Sequence, residues 1–174
     1  NAFTVNQGPD LMAKMASDGS ARGAIIILDT LKKFTDLMDK RTASQFGVAA
    51  RGFVSAGGTL IALAHTNKHV GSDGKAIYSG TSDIVDDSDC CFVIDKISAD
   101  EQDTLTTHTV EFNNIKARGD VSSKIGFTYK KVKKQQYIEL LNSVKSLDEN
   151  RLDIIKENVD MRSKLDEDAN IIRI

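Results

Sequence analysis

Three groups of residues in this chain have types and spacings suited to chemistry on a phosphorylated ligand. The first is Asp29, which closes the apolar run Ala24-Ile25-Ile26-Ile27-Leu28. A short, unbroken, β-branched run reads as a strand buried on both faces of a parallel sheet. A carboxylate at the carboxyl end of such a strand stands at the rim where open α/β folds bind ligands. In nucleotide hydrolases that position holds magnesium, usually through water. The competing reading is a cap on the helical turn that follows, and the residue alone does not separate the two.

The second group is His65, at the end of the apolar run 59–64. Its imidazole is suited to sensing a phosphate or orienting an attacking water; the plainer role is a hydrogen bond in the strand-to-loop corner. The third is the pair Lys116 and Arg118. Cations two positions apart in a strand point to one face, and a guanidinium can grip a phosphate with two donors. A solvated hairpin turn accounts for the same two residues. Lys68, His69 and Lys75 add a modest cationic set suited to a DNA backbone, or simply to a soluble loop.

Two patterns are missing from the sequence. No Gly-x-x-x-x-Gly-Lys-Ser/Thr occurs, so these residues supply no phosphate-cradling loop. His65 and His69 stand four apart, but no glutamate follows the first, which speaks against a metalloprotease helix.

The elements that must position these side chains follow from periodicity. Pro9 suits the first turn of a short helix over residues 9–16, with Leu11, Met12 and Met15 on its apolar side. Thr42 is the expected cap of a helix reaching residue 56, whose stripe is Ala43, Phe46, Gly47, Ala50, Phe53 and Val54. Gly57-Gly58 ends it, and the strand 59–64 starts at once. Strand, helix and strand with tight connections predict a parallel βαβ crossover, which brings Asp29 and His65 to one rim.

Residues 66–87 read as a long polar loop with three glycines, Gly71, Gly74 and Gly80. A short strand is expected over residues 90–94, then an acidic break over 98–103. Residues 106–115 and 124–132 are expected to pair as strands, joined by the basic turn Lys116-Ala117-Arg118-Gly119-Asp120. From Lys133 the pattern turns helical. Tyr137, Leu140, Leu141, Val144 and Leu147 form one stripe, and Ile154, Ile155, Val159, Met161 and Leu165 another. Ser146-Leu147-Asp148-Glu149 reads as the capping box of the second helix.

Composition bounds the partners. The 174 residues carry a formal charge of −2, so DNA contact requires a local basic patch. The adjacent Cys90 and Cys91 are the only cysteines. They offer neither a disulfide framework nor a zinc site, and a reducing, cytoplasmic setting is expected. No apolar run nears the ~20 residues of a membrane span. The start at Asn1 rather than Met leads us to expect an excised piece of a longer protein.

Four blocks resemble a known group. Ile25-Ile26-Ile27-Leu28-Asp29-Thr30-Leu31-Lys32-Lys33-Phe34 resembles the Walker B strand of the plasmid RepA-type hexameric helicases, within the RecA-like ATPases. Leu60-Ile61-Ala62-Leu63-Ala64-His65-Thr66-Asn67-Lys68 is similar to that family's next strand. Residues 79–89 are similar to the segment leading from the DNA-facing loop. Lys116-Ala117-Arg118-Gly119 resembles the Lys-x-Arg hairpin of the related DnaB-type helicases. The resemblance covers residues 23–129, in family order.

The resemblance implies an α/β fold with a RecA-like, mostly parallel sheet flanked by helices. Residues 1–132 would be a partial ATPase core, closed by an antiparallel strand pair, and residues 133–174 a helical C-terminal extension. It implies ATP and Mg2+ as cofactors of the intact parent, with Asp29 and Thr30 at the cofactor and Asp29 on the metal through water. His65 would sense the γ-phosphate. Where the family carries an arginine before its Gly-Ser/Thr-Ser step this chain has Ser79, so Arg118, with Lys116, would act in trans across a hexameric ring. Lys68, His69 and Lys75 would face single-stranded DNA. The phosphate loop and catalytic glutamate belong upstream, so residues 1–174 alone are expected to be inactive. The rival expectation is a non-catalytic oligomerisation or DNA-binding module on the same sheet.

Overall fold

The computed structural model describes residues 7–36, 39–70, 76–78 and 82–171. The chain divides into two compact units, residues 1–89 and 90–174. The first is built on the predicted crossover: strand β1 (Ile25–Asp29), helix α2 (Lys40–Ser55) and strand β2 (Thr59–Leu63), with helix α1 (Gln7–Asp18) ahead of them. β1 and β2 pair in parallel, Ile25 opposite Thr59 and Asp29 opposite Leu63.

One face of this two-stranded sheet carries the core. Met12 of α1, Ala21, Leu28 of β1, Leu31, and Phe46 and Phe53 of α2 are buried together, with Ile26 and Leu60 packed against them. The other face corrects the expectation of strands buried on both sides. Ile25 and Ile27 are each 64% exposed, and Ile61 and Leu63 are 46% and 45% exposed. The cause is the layer count: α1 and α2 both pack on the Leu28 side, and period-2 alternation leaves every second apolar residue on the opposite face.

Helix α2 is capped by Asp39, not by Thr42. The Asp39 carboxylate accepts from the Arg41 N–H at 3.1 Å and from the Thr42 hydroxyl at 2.5 Å. These two bonds hold the Asp39 carboxyl below the usual carboxylate range. The helix closes as Gly57-Gly58 predicted. Gly57, at φ +94°, donates to the Val54 carbonyl, and Gly58 donates to that of Phe53. This is the paired 5→2 and 6→1 arrangement that a left-handed glycine makes accessible.

Residues 66–87 contain more regular structure than a polar loop. β3 (Thr66–Val70) and β4 (Ala76–Tyr78) pair antiparallel, and α3 (Ser82–Asp87) follows. Asp87 and Asp89 hold Arg51 of α2, whose guanidinium donates to the Asp87 carbonyl and, at 2.9 Å, to the Asp89 carboxylate.

The second unit is a four-stranded antiparallel sheet in the order β5 (Cys90–Gln102), β6 (Leu105–Ala117), β7 (Lys124–Val132), β8 (Lys145–Leu147). The acidic stretch 98–103 does not break the strand. β5 runs on to Gln102, because each of its residues from Ser98 to Gln102 pairs with β6, and the chain reverses at Asp103 in the left-handed region, φ +47°. The predicted β6–β7 pair is present, Asn113 opposite Lys124 and Leu105 opposite Val132. The stripe from Tyr137 to Leu147 splits. Only Tyr137–Asn142 is helical (α4), and Leu147 lies in β8 opposite Gly126.

Helix α5 (Glu149–Ile171) is capped by Asp148, which accepts from the Arg151 N–H at 2.9 Å; Ser146 lies in β8 instead. Leu152 of α5 is 1% exposed and sits over Gly126, where an added Cβ would meet its methyl carbons at 3.1 and 3.2 Å. Ion pairs tie the helix to the same sheet face, among them Asp153–Lys124, Lys156–Glu111 and Arg162–Asp100. Among the described residues no helix is long and apolar enough to cross a membrane.

Candidate functional site at the carboxyl edge of the parallel strands

Because β1 and β2 are parallel, their carboxyl ends share one edge. Asp29 is the last residue of β1 and lies opposite Leu63, the last of β2, and His65 follows two residues on. The register therefore brings Asp29 and His65 to the same rim, as the crossover predicts. Both are exposed. Asp29 alternates with Ile25 and Ile27, so it belongs to the bare face of the sheet, away from α1 and α2.

The chain leaves β1 through Thr30 into a 3₁₀ turn, Leu31–Lys33. Leu31, 3% exposed, anchors that turn in the core. The turn brings back Lys33, whose ammonium donates to the Asp29 carbonyl at 3.1 Å. A carboxylate, an imidazole and an ammonium thus lie along one solvent-facing edge. Lys33 escaped the sequence reading; its signal was the spacing of four from Asp29, which a helical turn converts into proximity. The Thr30 hydroxyl is buried and has no hydrogen-bond partner among the described residues.

Among the described residues no cluster of three or more His, Cys, Asp and Glu side chains could hold a metal ion. Asp29 belongs to no such cluster among the described residues. Magnesium keeps several of its waters and is commonly held by one or two carboxylates together with substrate phosphates. A magnesium of that kind asks for only one protein carboxylate, and among the described residues this edge has no group of His, Cys, Asp and Glu suited to a standing metal centre.

Lys116 and Arg118 belong to the second unit. Lys116 is still within β6, opposite Cys91, and Arg118 is the first residue beyond the strand. The expected turn 116–120 thus begins two residues late, because β6 keeps its pairing to β5 through Ala117. Lys68 and His69 lie on the backbone of β3, but their side chains are outside the described residues, as is all of Lys75.

The sequence reading also missed a polar cluster under α5. Glu111, 3% exposed, accepts from Lys156 at 2.5 and 2.7 Å and from the Asn113 amide at 2.9 Å; that amide also reaches Asp95 at 3.1 Å. Burial pushes the Glu111 carboxyl up, but the Lys156 and Asn113 hydrogen bonds outweigh it and leave it below its ordinary value. The legible signal was the polar alternation Thr107, Thr109, Glu111, Asn113; the partner lies 45 residues away. Burial, and secondarily the neighbouring Cys90, push the Cys91 thiol above its ordinary value, which lowers the thiolate fraction on which nucleophilic attack and metal binding depend.

The structure is α/β, with one parallel pair and two antiparallel sheets. No family model matches the chain. No curated protein matches it either.

Proposed function

We propose that this chain is part of an ATP-driven motor acting on single-stranded DNA, with β1 and β2 as two strands of a RecA-like parallel sheet. The observation that supports the reading is the shared edge: Asp29 ends β1 opposite Leu63, the last residue of the parallel strand β2, and His65 follows two residues beyond it. In this reading Asp29 and Thr30 face ATP, and Asp29 steadies Mg2+ through water. His65 senses the γ-phosphate, and Arg118 with Lys116 serves the nucleotide of a neighbouring subunit in a hexameric ring. Lys68, His69 and Lys75 track the DNA. Since residues 1–174 contain no phosphate-binding loop, turnover requires one from additional sequence, and these residues alone do not hydrolyse ATP.

The test starts from the encoding gene. A Gly-x-x-x-x-Gly-Lys-Ser/Thr motif within about one βα unit ahead of Asn1 is expected. In that longer protein Asp29→Asn should lower ATP hydrolysis by at least about a hundredfold, the scale of removing one electrostatic partner of a transition state, while the thermal melt stays in place. Full turnover in Asp29→Asn, or a complete gene without the motif, overturns the motor reading.

A second reading, a non-catalytic oligomerisation or DNA-binding module, is favoured by the exposed apolar face formed by Ile25, Ile27, Ile61 and Leu63. A gene without the motif selects it.

A further inference from the structure

The four-stranded sheet of the second unit has two unlike faces. The face under α5 carries Thr107, Thr109, Glu111 and Asn113 of β6, and Lys124, Gly126 and Thr128 of β7. The opposite face is aromatic. Phe92 and Ile94 of β5, His108 and Phe112 of β6, and Phe127 and Tyr129 of β7 alternate onto it by register. His108 and Tyr129, directly paired, stack with ring centroids 4.9 Å apart and planes 22° from parallel. Phe112 meets Phe92 and Phe127 edge-on, at 6.2 and 5.3 Å. The five rings are half-buried, and Ile94 is 50% exposed.

The acids of the sheet lie mainly on the α5 face, which by register also carries Lys124 and Lys130. The acids Asp95, Asp100 and Glu111 lie on the α5 face, where Arg162 and Lys156 engage the last two. Lys96 and Lys131 alternate onto the aromatic face, Lys96 opposite Val110 and Lys131 opposite Thr106. Along β7 the face reads Phe127, Tyr129, Lys131, and Lys133 and Lys134 follow just beyond the strand. Glu101, also opposite Thr106, is the single acid that the register puts on this face.

From this arrangement we propose that the aromatic face of β5–β6–β7 is a stacking platform for single-stranded DNA. The His108–Tyr129 pair receives a base, and Lys131, with Lys96, meets the flanking phosphates. Flat aromatic rings beside cations suit an unpaired strand, because every base offers a π-face and every link a negative charge. A duplex hides its base faces and gains nothing from the rings. The proposal deepens the single-stranded DNA part of the function proposed above and rests on that part alone; it needs neither ATP nor the Asp29 edge.

The experiment is fluorescence anisotropy of a labelled fifteen-nucleotide oligo(dT) with the 174-residue chain, at two salt concentrations. The variants are His108→Ala/Tyr129→Ala, Lys96→Ala/Lys131→Ala and Lys68→Ala/Lys75→Ala. The ring variant should bind at least about fivefold more weakly, the lower range for removing one base stack. The lysine variant at 96 and 131 should reduce the salt slope by about 0.7 for each phosphate no longer neutralised. An oligonucleotide carrying 5-iodouracil should photocrosslink to Tyr129 in the wild-type chain, a readout that does not depend on how the variants fold. Loss of affinity only in the loop variant, with crosslinks away from β6 and β7, overturns the platform and leaves the DNA reading standing. No binding by the wild-type chain at low salt overturns both, including the case where the face instead joins two copies of the chain.

Discussion

The Lys156 ammonium of α5 lies 2.5 and 2.7 Å from the two carboxylate oxygens of Glu111 in β6, a strand residue only 3% exposed. The two partners are not equally buried: the Lys156 side chain is 33% exposed and that of Glu111 4%. Removing the lysine strands a buried carboxylate, whereas removing the glutamate leaves an ammonium that water can reach. Lys156→Met should therefore cost about 2–3 kcal/mol, below the ~3–5 of a fully buried pair because solvent screens one side. Glu111→Gln should cost about 1 kcal/mol. Urea titrations of both variants test the order; equal losses would mean that the pair is solvated.

Acid should loosen the same ion pair. A carboxyl whose folded-state pKa is lowered contributes stability that is fully present above its unfolded value and is lost as pH falls through the folded one. For Glu111 the loss falls below the ordinary glutamate range of about pH 4.3. Amide protection along α5, taken relative to the intrinsic exchange rate at each pH, should fall in that window in the wild-type chain, and the pH dependence should flatten in Glu111→Gln. An α5 equally protected at pH 3 and pH 6 would contradict this.

The two faces of β1 predict opposite responses. Leu28, 5% exposed, lies in the core, while its neighbour Ile27 is 64% exposed. Leu28→Ala should destabilise by about 2–5 kcal/mol and Ile27→Ala by no more than about 0.5 kcal/mol. Comparable losses in thermal melts would show that the Ile27 face is covered in solution.

Gly58 and Gly126 are both overlaid by side chains, at different clearances. A Cβ at Gly58 would collide with the Phe53 ring, itself 0% exposed; one at Gly126 would meet the Leu152 methyls at 3.1 and 3.2 Å and the Leu147 Cβ at 3.2 Å. Gly58→Ala should cost about 3 kcal/mol, the upper range for an overpacked core, and Gly126→Ala about 1 kcal/mol. The loss should appear in the exchange of the first unit for Gly58→Ala and of the second for Gly126→Ala. The reverse ranking would show that Phe53 can swing aside.

The adjacent thiols should differ in reactivity. Cys90 is exposed, whereas burial and its neighbour raise the Cys91 thiol and keep it protonated. Iodoacetamide at neutral pH should label Cys90 first, with Cys91 following more slowly. Peptide mass spectrometry over time reads the order, and simultaneous labelling would count against it.

The sequence by itself determined what depends on local pattern. The unbroken run ending at Asp29, the helix stopped by Gly57-Gly58 and the run that follows are enough to specify a parallel βαβ unit, and with it the common edge of Asp29 and His65. Alternation in β6 and β7 likewise specified a strand pair. The tertiary structure alone decided what depends on partners distant in sequence. Ile25-Ile26-Ile27 reads the same whether one face or two are covered, and only packing shows that α1 and α2 share a single side. The stretch 98–103 stays extended because β6 supplies backbone partners, and Leu147 leaves the helical stripe because Gly126 lies opposite it in β7. Glu111 is tolerated inside because Lys156 arrives from a helix 45 residues on. A single sequence records which side chains are apolar or charged, whereas the free energy of burying each is set by a neighbour that only the folded chain brings within reach.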